Sequence, residues 1–459
     1  MKKFILTGGC LLFAAFSFAQ TVNQKLQKAF QQFEKDVQLK YAISSLYVIE
    51  AKTGKVIFDK NSRVGLAPAS TQKIITGVTA FELLGKDYRY KTEFYKSIKS
   101  SLNVFGTGDP TLGSRRYATT NENAILEPLI NKIKSEGYSG FASLHLMDTY
   151  DSKNIPSGWI YEDIGNYYGA GSASINWREN QYDIVFTPGK KTGDPTAFVL
   201  DSGYGGVRSY VVNECKTGQA GSGDNAYIYF VTGTREILIQ GTIPAGVDKF
   251  TISGTDPQPI FSFSSALIRY ANSNGVSIND ELIDRNGLKS TLFPKGELLY
   301  THYSPSLDSI IYWLSKKSIN LYAEALIKTF AYEKQGFGST DSGVAIVKKF
   351  WKQKGLDEEE LNVSDGSGLS PQNRVTTHAQ VEILKYAKTR DWFPYFYNSL
   401  PEYNGMTMKS GTIKDVKGFC GYHKAKDGRE YIFSFLVNNY NGPSSGLVNK
   451  MYKVLDVLK

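Results

Sequence analysis

Ser70 and Lys73 form the only Ser-x-x-Lys in the chain. At the start of a helix, positions i and i+3 share a face, so the amine reaches the hydroxyl. Burial against apolar helix residues disfavours the ammonium, and a neutral lysine can then act as general base for the serine. Free N–H groups at the helix N-terminus are suited to an oxyanion. This chemistry is acyl transfer through an activated serine, and it needs further partners. Ser-x-Asn occurs at Ser101, Ser152, Ser174, Ser277 and Ser318. Of these, Ser318-Ile319-Asn320 falls in a strongly helical stretch, residues 310–332, and is the one selected. Lys-Thr-Gly occurs at Lys52, Lys191 and Lys216, each in a turn-like context before Ser318. Lys409-Ser410-Gly411-Thr412 instead follows Ser318 and leads into strand residues 418–422. There a lysine meets a substrate carboxylate, and Gly411, lacking a side chain, lets a substrate backbone lie against an edge strand.

The elements that must position these groups are legible in outline. Leu26, Phe30 and Phe33 predict an amphipathic helix, residues 43–49 a strand, and residues 56–59 its hairpin partner. Ile74, Ile75, Val78, Phe81, Leu83 and Leu84 predict a core helix after Ser70, stopped by Gly85. From about residue 90 to 256 the texture changes to short strands between Gly-rich turns, among them 182–186, 197–200, 227–231 and 236–240. Helical spacing returns at 260–271, 307–332 and 343–354, and the end reads as strand 418–423, strand 431–438 and helix 448–458. The two ends resemble each other more than the middle. A split domain over residues 20–89 and 290–459, interrupted by a β-rich insertion at 90–289, accounts for that pattern.

Composition narrows the setting. With 459 residues, 41% hydrophobic and 21% charged, the chain has the apolar surface for a large core. Lys2 and Lys3, an apolar run at 4–18 and Ser17-Phe18-Ala19 before Gln20 read as a signal peptide over residues 1–19. An exported, periplasmic protein is expected, with no membrane-spanning segment once that peptide is removed. The net charge of +9, or +7 without Lys2 and Lys3, is spread along the sequence and reads as a basic surface. No nucleic-acid partner is expected. Cys215 and Cys420 read as buried thiols, and the four histidines show no metal-ligand spacing, so no metal or other cofactor is expected.

The ordered set Ser-x-x-Lys, Ser-x-Asn, Lys-Ser/Thr-Gly resembles the signature of penicillin-recognising serine acyl-enzymes. Asp365-Gly366-Ser367-Gly368-Leu369-Ser370, Gly106-Thr107-Gly108-Asp109-Pro110-Thr111-Leu112 and Ser318-Ile319-Asn320-Leu321-Tyr322-Ala323-Glu324 sharpen it. They resemble the D-alanyl-D-alanine carboxypeptidase/endopeptidase family of class C low-molecular-mass penicillin-binding proteins (peptidase family S13). That family carries a long insertion between its first two motifs, and here Ser70 and Ser318 stand 248 positions apart. The resemblance implies an α/β fold, a penicillin-binding-protein/β-lactamase-like transpeptidase domain with an antiparallel sheet flanked by helices and a large β-rich insertion.

The resemblance also implies roles. Ser70 is the nucleophile, Lys73 its base, Ser318 a proton relay and Asn320 a holder of the donor-peptide amide. Lys409, Ser410 and Thr412 bind the terminal carboxylate, with Gly411 against the substrate backbone and the N–H groups of Ser70 and Thr412 as the oxyanion hole. The implied partners are peptidoglycan stem peptides, with β-lactam antibiotics as inhibitors. Asp148 matches a family aspartate for the amine of the peptide's diamino acid. Pro371 stands where some members carry a basic residue, and Arg374 is the available substitute. Two other readings remain at this level: a β-lactamase, which generally lacks so long an insertion, and a non-catalytic peptidoglycan-binding protein, which would not require a nucleophile and its base.

Overall fold

A computed structural model describes residues 20–97, 100–200, 210–230, 236–279 and 295–459. The expected signal peptide lies outside these residues, as does Val231 at the end of one expected strand. Among the described residues no helix is long and apolar enough to cross a membrane.

Alternating apolar residues build the main sheet. Its six antiparallel strands run in the order Glu402–Tyr403, Met406–Ile413, Val416–Lys424, Glu430–Asn438, Ile43–Glu50, Val56–Lys60. The first long strand therefore pairs with the last, from Ile43 opposite Asn438 to Glu50 opposite Tyr431. Because side chains alternate across a strand, Leu46, Val48, Phe433 and Phe435 enter one core, under the helices Val22–Glu34 and Ser444–Leu455. Tyr47, Ile49, Ile432 and Leu436 enter another, where Lys73–Leu84 packs with Leu307–Lys316, Asn320–Gln335 and Thr377–Lys388. Nine residues from Lys73 through Phe81 are buried in succession, as expected of an apolar helix without a polar face.

The middle of the chain forms other sheets. Glu297–Tyr303, Lys91–Lys96, Ser101–Gly106 and Ser143–Met147 make one, backed by the helices Glu122–Ser135 and Pro259–Ser273. Pairing in this sheet thus extends to Tyr303, past the return expected at residue 290. Gln181–Thr187, Ala197–Leu200 and Phe250–Thr255 form a three-stranded sheet, and Tyr210–Asn213, Lys216–Gly218, Asn225–Phe230 and Glu236–Pro244 a four-stranded one; they share a core that includes Cys215. The helix Glu122–Ser135 was not expected from the β-like texture. Ile125, Leu126, Leu129, Ile130 and Ile133 carry it at helical spacing around Pro128, and Asn121 caps it.

Candidate active site

The sequence pattern places Ser70 at the tip of a helix, and the structure refines this. Residues Ala69–Gln72 form a 3-10 turn, and the α-helix proper begins at Lys73. Ala69 has φ 47°, a left-handed conformation that a non-glycine residue adopts only when its surroundings hold it. The hold comes from the strand Met406–Ile413. A Cβ on Gly411 would lie 2.6 Å from the Pro68 carbonyl oxygen and 2.9 Å from the Ser70 nitrogen, so the absent side chain is what admits the turn.

Lys73 Nζ lies 2.9 Å from Ser70 Oγ, 2.6 Å from Asn320 Oδ1 and 2.8 Å from the Ser367 carbonyl oxygen. The side chain is fully buried, and burial pushes its pKa down to about 7, against the pull of the Asp365 and Glu324 carboxyls. A neutral amine has two protons and one lone pair. Asn320 Oδ1 and the Ser367 carbonyl can only accept, so they take the two protons and the lone pair is left for the Ser70 hydroxyl.

The loop that supplies Ser367 is wound around a carboxylate. Asp365 accepts from the backbone N–H groups of Gly368 (2.8 Å) and Ser370 (2.7 Å), from Asn373 Nδ2 (2.9 Å) and from Trp159 Nε1 (2.9 Å). Glu324 accepts from the N–H groups of Gly366 and Ser367, and burial together with the Asp365 charge raises its pKa. These two carboxyls, which sequence reading quoted only as parts of motifs, fix the carbonyl that orients Lys73.

Ser318 is not inside a helix, contrary to the expectation of one continuous helix over residues 307–332. The helices Leu307–Lys316 and Asn320–Gln335 are separate, and Ser318 sits in the break with φ 56°. Apolar periodicity runs through both helices in sequence and hides the break. The strained turn sends Ser318 Oγ to Lys409 Nζ (2.9 Å), which also donates to the Ser410 carbonyl (2.8 Å). Asn320 is engaged at both ends, since its Nδ2 donates to the Tyr168 carbonyl of the middle segment (2.7 Å). Four helix residues beyond Glu324, the fully buried Lys328 donates to Asp151 (2.7 Å) and to the carbonyls of Lys153 and Ser172, tying that segment to the same helix.

Ser70, Lys73, Asn320 and the pair Ser318–Lys409 thus converge, and Ser410, Gly411 and Thr412 lie along the adjoining strand. Asp148 and Arg374 are not part of this hydrogen-bonded group. Asp148 accepts from Ser174 Oγ (3.3 Å) in a separate cavity lined by Pro257 and Phe261, and burial raises its pKa. Arg374 is exposed and folds back onto the carbonyls of Pro371 and Asn373. A carboxylate overlooked in sequence is Asp163, on the short helix Tyr161–Ile164. It is hydrogen-bonded to the Tyr168 side chain, and burial raises its pKa. The Tyr168 carbonyl is the one that Asn320 holds.

The sequence model of the "D-Ala-D-Ala carboxypeptidase 3 (S13) family" matches residues 23–402, ending just before Lys409. A D-alanyl-D-alanine carboxypeptidase of Actinomadura sp. (strain R39) is 27% identical over 442 residues, covering 89% of this chain and 80% of that protein. The D-alanyl-D-alanine carboxypeptidase DacB of Haemophilus influenzae is 23% identical, covering 95% of this chain and 92% of that protein. Among solved structures, penicillin binding protein 4 (dacB) from Haemophilus influenzae superposes with a TM-score of 0.78 at 19% identity, covering 94% of this chain and 98% of that one. That likeness establishes the fold as the one expected, an α/β penicillin-binding-protein architecture with an additional β-rich part.

Proposed function

The chain belongs to the D-Ala-D-Ala carboxypeptidase 3 (S13) family, and from that membership we propose that it is a serine DD-peptidase that cleaves D-Ala-D-Ala termini or D-Ala cross-links of peptidoglycan through an acyl-enzyme on Ser70. The observation that carries the reading is the buried Lys73 amine, 2.9 Å from Ser70 Oγ, with its two protons committed elsewhere. In this reading Lys73 takes the Ser70 proton as Oγ attacks the carbonyl carbon of the penultimate D-alanine. The N–H groups of Ser70 and Thr412 hold the oxyanion. The proton passes by way of Ser318 to the leaving nitrogen, the C–N bond breaks, and D-alanine or the cross-linked strand departs. Water then attacks the ester with Lys73 again as base, releasing the shortened peptide and restoring Ser70 Oγ–H.

Lys409, with Ser410 and Thr412, receives the terminal carboxylate; Asn320, already held by Lys73 and Tyr168, keeps the base in place and lines the peptide path. For a cationic group on the peptide side chain, Asp163 is better connected than Asp148, because its Tyr168 partner also touches Asn320. The substrate implies export to the periplasm, with residues 1–19 as the signal. It also accounts for the division of labour, a peptidase part split around a β-rich insertion whose loops brace the second motif.

A β-lactam ring presents a strained amide in place of the peptide's scissile bond, and its leaving nitrogen stays tethered. Incubation with benzylpenicillin is therefore expected to add one penicillin mass, located by peptide mapping on the segment that contains Ser70, and a peptide ending in D-Ala-D-Ala is expected to release D-alanine. No adduct and no turnover would overturn the reading. Rapid penicillin turnover without accumulation would convert it to a β-lactamase.

A further inference from the structure

We propose that Lys417, which lies outside all three motifs, is a second cation of the carboxylate subsite: it orients the Thr412 hydroxyl and adds positive charge for the C-terminal carboxylate of the ligand. The inference rests on the acyl-enzyme reading above and deepens it. Lys417 and Thr412 face each other across the antiparallel pair Met406–Ile413 and Val416–Lys424. Lys417 Nζ donates to Thr412 Oγ1 at 2.7 Å, and only 9% of the residue is exposed. Its amine also lies 5.1 Å from the centre of the Phe419 ring.

The charge balance around this pair is unusual. Among the described residues no carboxylate lies within ion-pair distance of Lys409 or Lys417. Burial lowers the pKa of both, and the charges of Lys73 and Lys417 lower that of Lys409 further. Asp365 and Glu324 act on Lys73 instead. Burying an ammonium without a counter-ion is costly, and the cost is offset when an anion arrives at the same place. Among the described residues Lys417 is therefore a lysine without a carboxylate counter-ion, hydrogen-bonded to a residue of the strand that receives the carboxylate.

Its effect on Thr412 is directional. A hydroxyl has one proton and two lone pairs. With one lone pair occupied by Lys417, and with Thr412 exposed, the hydroxyl proton is left to donate to a ligand. A hydrogen bond to a charged group contributes roughly twice a neutral one.

The test compares ligands that carry or lack the carboxylate, using the full mature chain. Benzylpenicillin is set against its methyl ester, and an N-acylated peptide ending in D-Ala-D-Ala against its C-terminal amide. Lys417→Met is expected to lower kcat/KM for the two carboxylates by about 30-fold, mostly through KM, and to change the ester and amide by no more than about 3-fold. Lys417→Gln keeps a donor for Thr412 without the charge and should fall between, while Lys417→Arg should restore most of the selectivity. If Lys417→Met does not fold, Lys417→Gln and Lys417→Arg give the same readout. Equal losses on both ligand types, or no loss on either, would overturn the proposal while wild-type acylation leaves the parent reading intact. A wild type that is never acylated would overturn both.

Discussion

Replacing Lys73 by methionine is expected to slow acylation of Ser70 by about 10⁴-fold, the upper end of what a positioned general base supplies. The methionine side chain fills a similar volume, so the loss is chemical rather than a collapse of the core. Two acceptors, Asn320 Oδ1 and the Ser367 carbonyl, lose their donor, and each costs about 1–3 kcal/mol of stability when left unsatisfied. A lower unfolding midpoint with intact cooperativity is therefore part of the expected result. Lys73→Arg supplies donors again but cannot give up its proton at working pH, so it should recover stability without recovering rate.

The wild-type pH profile reports the same group. Burial lowers the Lys73 pKa to about 7, and the neutral form is the active one, so the rate rises as pH increases through that value. Between pH 6 and 8 the neutral fraction grows about tenfold, and kcat/KM for acylation should follow it. A flat profile over that range, or a Lys73→Met variant acylated within tenfold of wild type, would remove Lys73 from the role of base.

Parts of this arrangement were legible in the residues and parts were not, for physical reasons. The Ser70–Lys73 pair is local: three positions along a helical turn bring two side chains together whatever the rest of the chain does. The same holds for the main sheet, whose strands near residues 43–49, 418–423 and 431–438 alternate clearly. The joining of the first strand to the last is a long-range pairing that periodicity does not encode. Ser318 was found by its motif, yet its helix break was invisible because Ile310, Leu314, Leu321 and Leu326 continue the apolar spacing on both sides. The helix Glu122–Ser135 was hidden by Pro128 and by the strand-like texture around it, although Asn121 and its apolar face were signals. Asp365 and Glu324 act by accepting hydrogen bonds from the loop that carries Ser367, contacts that no spacing shows. Lys417 becomes visible only when strand register sets it opposite Thr412.

Register also decides the second large effect. Gly411→Ala is expected to reduce acylation by about 10²–10³-fold, the range seen when an oxyanion donor is lost. The added Cβ would lie 2.6 Å from the Pro68 oxygen, 2.8 Å from the Thr71 nitrogen and 2.9 Å from the Ser70 nitrogen. All three are backbone atoms at the start of the helix that carries the nucleophile, so none can rotate away, and the strand must retreat. Thr412 N–H moves with the strand and Ser70 N–H stays with the helix, so the gap between the two oxyanion donors widens. Gly418, directly opposite in the sheet, is the control. A Cβ there would meet Leu436 Cδ2 at 2.6 Å and Thr71 Cγ2 at 3.1 Å, both ends of side chains that can shift. Gly418→Ala should therefore cost stability with a smaller change in rate. Acylation rates by benzylpenicillin, measured beside unfolding midpoints, separate the two. If Gly411→Ala loses stability as Gly418→Ala does but keeps its rate, then the strand does not supply the oxyanion donor, and the close approach at Gly411 serves packing alone.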